Sequence, residues 1–109
     1  MISEKKMDEM LLELGFPDHL TGTELLRAAL RIYRPGMEIT KDIYPVLAAA
    51  TGSTPSRVER AIRHATESAW QRQGYGTGYK IFGNTILPEK GKPTNMELIA
   101  RLERLCREN

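Results

Sequence analysis

The fold of this chain is decided by the stretch TGSTPSRVERAIRHATESAWQRQ, residues 51–73. Gly52 suits the left-handed conformation that closes a helix, and Thr54 followed by Pro55 supplies an N-cap and a first-turn proline. After that proline, neither glycine nor proline interrupts the stretch. The pattern therefore predicts the tight turn of a helix-turn-helix, followed by a long second helix over about residues 54–73.

The long helix has two different faces when its residues are placed about 100° apart. One arc holds small and branched apolar side chains, namely Val58, Ala61, Ile62, Ala65 and Ala69. The opposite arc holds mostly charged side chains, namely Arg57, Glu59, Arg60, Arg63, His64 and Glu67. Alanines on the apolar face let the preceding helix approach closely, which a compact helix-turn-helix requires. The sequence thus predicts a buried stripe and a basic edge that faces solvent.

Helical signals also precede this motif. A first helix with apolar periodicity ends near Gly15, and Thr21 with Glu24 predicts a capping box at the start of a second helix. Thr40 can cap a third helix, with a break or restart at Tyr44-Pro45. Three helices are therefore expected before the tight turn.

The segment that follows the long helix is less regular. Gly74–Gly78 is interpreted as a flexible connection, and the apolar patch within Tyr79–Leu87 fits either a short helix or a brief hairpin. Thr94 or Asn95 can cap a last helix. The sequence as a whole predicts an all-α fold, a compact bundle of about six helices that contains a helix-turn-helix, in a single domain over residues 1–109.

Composition narrows the class of protein. The chain has 109 residues and one cysteine, so no disulfide can form within it. No stretch approaches the roughly 20 apolar residues that a membrane span needs, and the N-terminus lacks the apolar core of a signal peptide. Residues 1–50 carry six basic and eight acidic side chains, whereas residues 51–109 carry ten and six. We expect a cytoplasmic protein with no membrane association and a positive second half.

The residues predict no enzyme, no metal site and no cofactor. His64 and Glu67 have the spacing of a metal-binding pair, but His19 is the only other histidine and no third ligand completes a site. The glycines of Gly74–Gly78 follow a helix instead of opening one, so they do not match a phosphate-binding loop. No nucleophile stands at a recognisable spacing from a base and an orienting group. Binding is therefore the expected function.

The basic edge of the long helix has the chemistry to read DNA. In a helix-turn-helix, the first residues of the second helix meet base edges, and phosphates are held from the flanks. We assign Arg57, Glu59 and Arg60 to base contacts, because arginine matches guanine and glutamate can accept from cytosine. Arg63 and His64 lie further along and are assigned to phosphates. Ordinary surface helices also have a charged face opposite an alanine stripe, so the pattern alone leaves both interpretations open.

The same residues resemble a known family. Ser56–Ala65 with Ala69-Trp70 is similar to the recognition-helix signature of the C-terminal effector domain of the sporulation initiation response regulator. Further similarity lies at Leu14-Gly15, Pro17, His19, Ile39–Lys41, Tyr44-Pro45, Phe82-Gly83 and Lys92–Asn95. The resemblance implies six helices, binding to short boxes of double-stranded DNA at promoters of sporulation and stationary-phase genes, and activation or repression of transcription. It implies a bacterial cytoplasmic protein associated with the nucleoid.

The resemblance also implies roles at matching positions. The base-contacting positions are Arg57, Glu59 and Arg60. The DNA-backbone positions are Ser56, Arg63 and His64, together with Lys92, Thr94 and Asn95, which would place the start of the last helix near a phosphate. Free N–H groups at a helix N-terminus attract anions, which supports that placement independently. RNA polymerase and a second copy on tandem sites are further partners that the resemblance suggests.

Two departures from the family pattern leave alternatives open. The usual family protein carries an N-terminal phosphoacceptor receiver domain that these 109 residues lack, so the sequence is either a free-standing effector domain or an excised fragment. The Gly74–Gly78 connection also differs from the family's polar linker. The rival interpretation is a helical protein-interaction module that modulates a full-length regulator or RNA polymerase without reading DNA.

Overall fold

Six α-helices and one π-helical turn form the described part of the chain, which in this computed structural model comprises residues 1–73, 76–82 and 91–108. In order, the elements are α1 (Glu4–Leu14), α2 (Thr21–Ile32), the π-helical turn (Ile39–Ile43), α3 (Tyr44–Thr51), α4 (Pro55–Gln73), α5 (Gly76–Phe82) and α6 (Asn95–Cys106). This architecture confirms the predicted all-α bundle of about six helices. No helix in the described ranges is long and apolar enough to cross a membrane.

One apolar core holds the helices together. Its largest fully buried side chains come from four of the helices and the π-helical turn: Met7, Leu11, Leu14, Leu26, Leu30, Ile43, Val58, Ile62, Leu98, Ile99 and Leu102. At the crossing of α2 and α4, a Cβ placed on Gly22 would lie 1.9 Å from the carbonyl oxygen of Ala61. Glycine at this position therefore allows the two helices to pack backbone against backbone. This packing places α4 across α2 and leaves the other face of α4 in solvent.

The tight turn between α3 and α4 agrees with the predicted helix-turn-helix. Gly52 ends α3 in the left-handed conformation, with φ of 65°, and its N–H donates to the carbonyl of Ala48. Pro55 is the first residue of α4, and the Thr54 hydroxyl accepts a hydrogen bond from the backbone N–H of Arg57 at 3.2 Å. The predicted restart at Tyr44-Pro45 is also confirmed, because the π-helical turn ends at Ile43 and α3 begins at the next residue.

The start of α2 differs from the prediction. Thr21 is the first helical residue and Leu20 is the N-cap, with no side-chain hydrogen bond at the cap, so the predicted capping box of Thr21 and Glu24 is wrong. The nearby Thr23 hydroxyl instead donates to the carbonyl of Pro17 at 2.7 Å and is fully buried. The helix is therefore anchored by buried contacts of its first turn and not by a surface cap.

The connection after α4 also differs in part. The flexible connection predicted over Gly74–Gly78 is wrong for residues 76–78, which lie in α5, and residues 74 and 75 lie outside the described residues. The phenyl ring of Phe82 at the end of α5 is buried. The ring centroids of Trp70 and Phe82 are 5.6 Å apart in an edge-on arrangement, so the partly buried Trp70 of α4 packs against α5. A short helix is thus confirmed up to Phe82, and the rest of the predicted patch, residues 83–87, lies outside the described residues.

Candidate nucleic-acid interface

The first turns of α4 present a basic edge to solvent. Val58, Ile62, Ala65 and Ala69 are fully buried, as the apolar stripe predicted, whereas Ala61 is only half-buried. The side chains on the other arc are exposed, namely Ser56, Arg57, Arg60, Arg63 and His64. The core contacts of α4 therefore fix its orientation so that the predicted DNA-contacting residues face outward.

Arg57 and Arg60 lie on this edge as free cations within the described part of the chain. Both side chains are exposed, and neither forms an ion pair with any described residue. They lie three residues apart on a helix, so their Cα atoms are separated by about one turn and can point to the same side. Two unpaired guanidinium groups at this spacing can reach neighbouring positions on an anionic or hydrogen-bonding partner.

Glu59 is placed differently from the two arginines. It is half-buried at the side of α4, and its carboxylate accepts a hydrogen bond from Arg63 Nη1 at 3.1 Å. Exposed ion pairs at this helical spacing contribute only about 0.3–0.5 kcal/mol, so a ligand can replace either partner at little cost. Glu59 is thus available to another donor, although its carboxylate is already paired in the free chain.

The start of α6 is closed by a capping box. The Thr94 hydroxyl accepts from the backbone N–H of Glu97 at 3.2 Å, and the Glu97 carboxylate accepts from the backbone N–H of Thr94 at 2.8 Å. Thr94 is therefore the cap, one of the two residues that the sequence offered. The first-turn N–H groups of Asn95 and Met96 point out of the helix end, as they do in any α-helix.

The structure brings this helix start beside α4. Lys92 Nζ lies 3.9 Å from a carboxylate oxygen of Glu67 on α4. The side-chain amide of Asn95 donates two hydrogen bonds of 3.0 Å, one to the backbone carbonyl of Glu59 and one to the phenolic oxygen of Tyr44. The two groups of residues that the sequence assigned to DNA are at least 28 positions apart in the chain, the separation of His64 and Lys92. They are thus neighbours in space.

Tyr44 is the member of this arrangement that sequence reasoning missed. The sequence indicates Tyr44 only as part of the helix restart and of the family resemblance at Tyr44-Pro45. Its side chain is buried, however, and its hydroxyl accepts from Asn95, 51 positions later. Burial raises the pKa of the Tyr44 phenol above its ordinary value, and the hydrogen bond from Asn95 opposes that shift. No local pattern could have revealed the contact, because it depends on how α3 and α6 pack.

The chain matches the model of a known protein family. A family model described as "Sporulation initiation factor Spo0A C terminal" matches residues 7–105. The match covers nearly the whole chain and includes all of α4, the tight turn before it and the start of α6.

Proposed function

The chain belongs to this family of sporulation initiation factor C-terminal domains, which are DNA-binding effector domains, and from that premise we propose that it binds specific double-stranded DNA boxes at promoters and regulates transcription. In this proposal α4 enters the major groove with its N-terminal turns. Arg57, Glu59 and Arg60 contact base edges. Affinity and discrimination then come from one exposed edge of one helix.

The observation that carries the proposal is the exposure of Arg57 and Arg60 at the start of α4, where neither forms an ion pair with a described residue. An arginine fork matches the two acceptors of guanine in the major groove, and each good base contact discriminates by about 1–3 kcal/mol. Glu59 would exchange its bond with Arg63 for a cytosine amino group, which frees Arg63 for a phosphate. This exchange would couple the contact with a base to the contact with a phosphate of the DNA backbone.

Phosphate contacts are proposed on both sides of the base-reading residues. Along α4 they involve Ser56, Arg63 and His64, all exposed. At the start of α6 they involve Lys92 and Thr94, with the backbone N–H of Asn95 as a further donor at a helix N-terminus. Because Lys92 lies next to Glu67 of α4, the two sets can bind one duplex from two sides of a groove.

The experiment that tests the proposal is selection of bound duplexes from a random pool, followed by titration of the enriched duplex and a scrambled one. Arg57→Ala and Arg60→Ala should each reduce the ratio of the two affinities by about tenfold or more. Arg72→Ala is the matched control, because it removes the same charge from the exposed last turn of α4. It should leave the ratio unchanged.

Two results would count against the proposal. If Arg57→Ala and Arg60→Ala discriminate as the wild type does, the base-reading assignment is wrong. If no duplex is enriched and a protein partner binds instead, the chain is the interaction module of the rival interpretation.

Further parts of the proposal are binding to RNA polymerase, self-association on tandem boxes and action on nucleoid DNA in the cytoplasm. Each of these needs its own binding experiment.

A further inference from the structure

A single side chain connects the start of α4 to two other helices. The amide nitrogen of Asn95, the first residue of α6, donates to the phenolic oxygen of Tyr44 and to the backbone carbonyl of Glu59, both at 3.0 Å. A side-chain amide nitrogen carries two hydrogens, so both of its donors are used. Tyr44 is the first residue of α3, so this bridge joins α3, α4 and α6.

The bridge meets α4 at the position where base reading is proposed. Glu59 lies between Arg57 and Arg60 in the chain, and the bond is made to its backbone, not to its carboxylate. A bond to the backbone constrains the helix itself and does not use the side chains of these three residues. The other end of the bridge is rigid as well, because the Tyr44 side chain is 4% exposed.

We infer that Asn95 is a positioning residue for sequence reading: through its bridge to Glu59 and Tyr44 it holds the first turns of α4 at the angle from which the arginines meet base edges. This inference rests on the proposed function. Hydrogen bonds to bases weaken steeply when donors are misaligned, and a functional constellation must be held to within about 0.5 Å and 10–20°. Contacts to phosphates on a random duplex require less accurate alignment of the protein donors. Loss of the bridge should therefore reduce specific binding more than non-specific binding.

Truncation of the side chain separates this role from a direct phosphate contact. Asn95→Ala keeps the backbone N–H that the proposed function assigns to a phosphate and removes only the bridge. If the Asn95 amide itself held a phosphate, its loss would weaken enriched and scrambled duplexes equally, because phosphate contacts carry no sequence information. If it positions α4, only the enriched duplex should lose affinity.

The test uses the full chain with the duplex that the wild type enriches from a random pool and a scrambled duplex of equal length. Asn95→Ala should lower affinity for the enriched duplex by about fivefold to tenfold, with the scrambled duplex within about twofold and the salt dependence unchanged. Tyr44→Phe removes one of the two acceptors and should have a smaller effect in the same direction. The double variant should resemble Asn95→Ala, because both changes act on one bridge.

Cys106→Ala controls for a general loss of stability, because Cys106 is fully buried at the opposite end of α6, about 16 Å along the helix. Circular dichroism checks that every variant is folded, and the control should keep wild-type discrimination. Equal weakening of both duplexes by Asn95→Ala, or no weakening, would refute the inference while the proposed function stands. If the wild type itself does not discriminate between duplexes, the proposed function fails and the inference fails with it.

Discussion

Gly22→Ala is expected to destabilise the chain although alanine is the better helix former. The added Cβ would lie 1.9 Å from the carbonyl oxygen of Ala61, 2.6 Å from its carbonyl carbon and 2.9 Å from Cβ of Ala65. Non-bonded heavy atoms prefer separations of about 3.5–4.0 Å, so α2 and α4 would have to separate by roughly 1.5 Å. The obstacle is backbone and cannot rotate away.

Two opposing effects set the size of the change. In a helix interior, replacing glycine by alanine stabilises by about 1 kcal/mol, and this is the upper limit of the gain at Gly22, the second residue of α2. Forcing an extra carbon into a packed interface costs about 1–3 kcal/mol, and more where backbone must move. Because the added Cβ clashes with the backbone of α4 and opens a fully packed crossing, we expect a net loss of about 2–4 kcal/mol in the free energy of unfolding. For a chain of this size, this corresponds to a fall in Tm of roughly 10–15 °C.

The assay is urea and thermal unfolding followed by circular dichroism at the helical band. Thr21→Ala is the matched control, since Thr21 is exposed in the same turn and forms no cap bond. It should change the free energy of unfolding by less than about 0.5 kcal/mol. The reasoning is refuted if Gly22→Ala is as stable as the wild type or more stable, as helix propensity alone would predict.

Two further predictions concern α6. Thr94→Ala removes the hydroxyl of the capping box and should lower the free energy of unfolding by about 1 kcal/mol in urea; an unchanged midpoint would contradict the role of this cap. Burial raises the pKa of the Cys106 thiol above its ordinary value of 9.0, so the folded state holds this proton more tightly than the unfolded state. The protonated thiol therefore contributes its full stabilisation of the folded state below pH 9.0. This stabilisation is lost as the pH rises above 9.0 and through the raised pKa of the folded state. Urea midpoints measured from neutral to alkaline pH should fall less steeply in Cys106→Ala, and parallel curves for the two proteins would show that the thiol does not contribute.

Local signals in the sequence predicted the elements that local forces decide. Gly52, Thr54 and Pro55 each act within three or four residues along the chain, through a left-handed cap, a side-chain cap and a fixed backbone angle. The apolar stripe of α4 likewise follows from helical periodicity. The turn, the start of α4 and the side of α4 that is buried could therefore all be predicted.

The errors arose where tertiary contacts override local preference. Thr21 and Glu24 have the pattern of a capping box, but the first turn of α2 is instead fixed by the buried hydroxyl of Thr23. The glycines of Gly76–Gly78 favour a loop by propensity, yet they lie in a helix whose last residue, Phe82, packs into the core. Apart from proline, helix propensities differ by at most about 1 kcal/mol per residue, and burial of one aromatic side chain contributes more than that.

The class of fold, the tight turn before α4 and the basic residues on the outer edge of α4 follow from local sequence, because hydrogen bonds at helix ends and helical periodicity are short-range properties. The contacts of Asn95 with Glu59 and Tyr44, which lie 36 and 51 positions away, could not be predicted in this way. Such contacts depend on the packing of whole helices, set by features such as the single missing Cβ of Gly22. The orientation of α4, and with it any reading of DNA, is therefore a property of the assembled bundle.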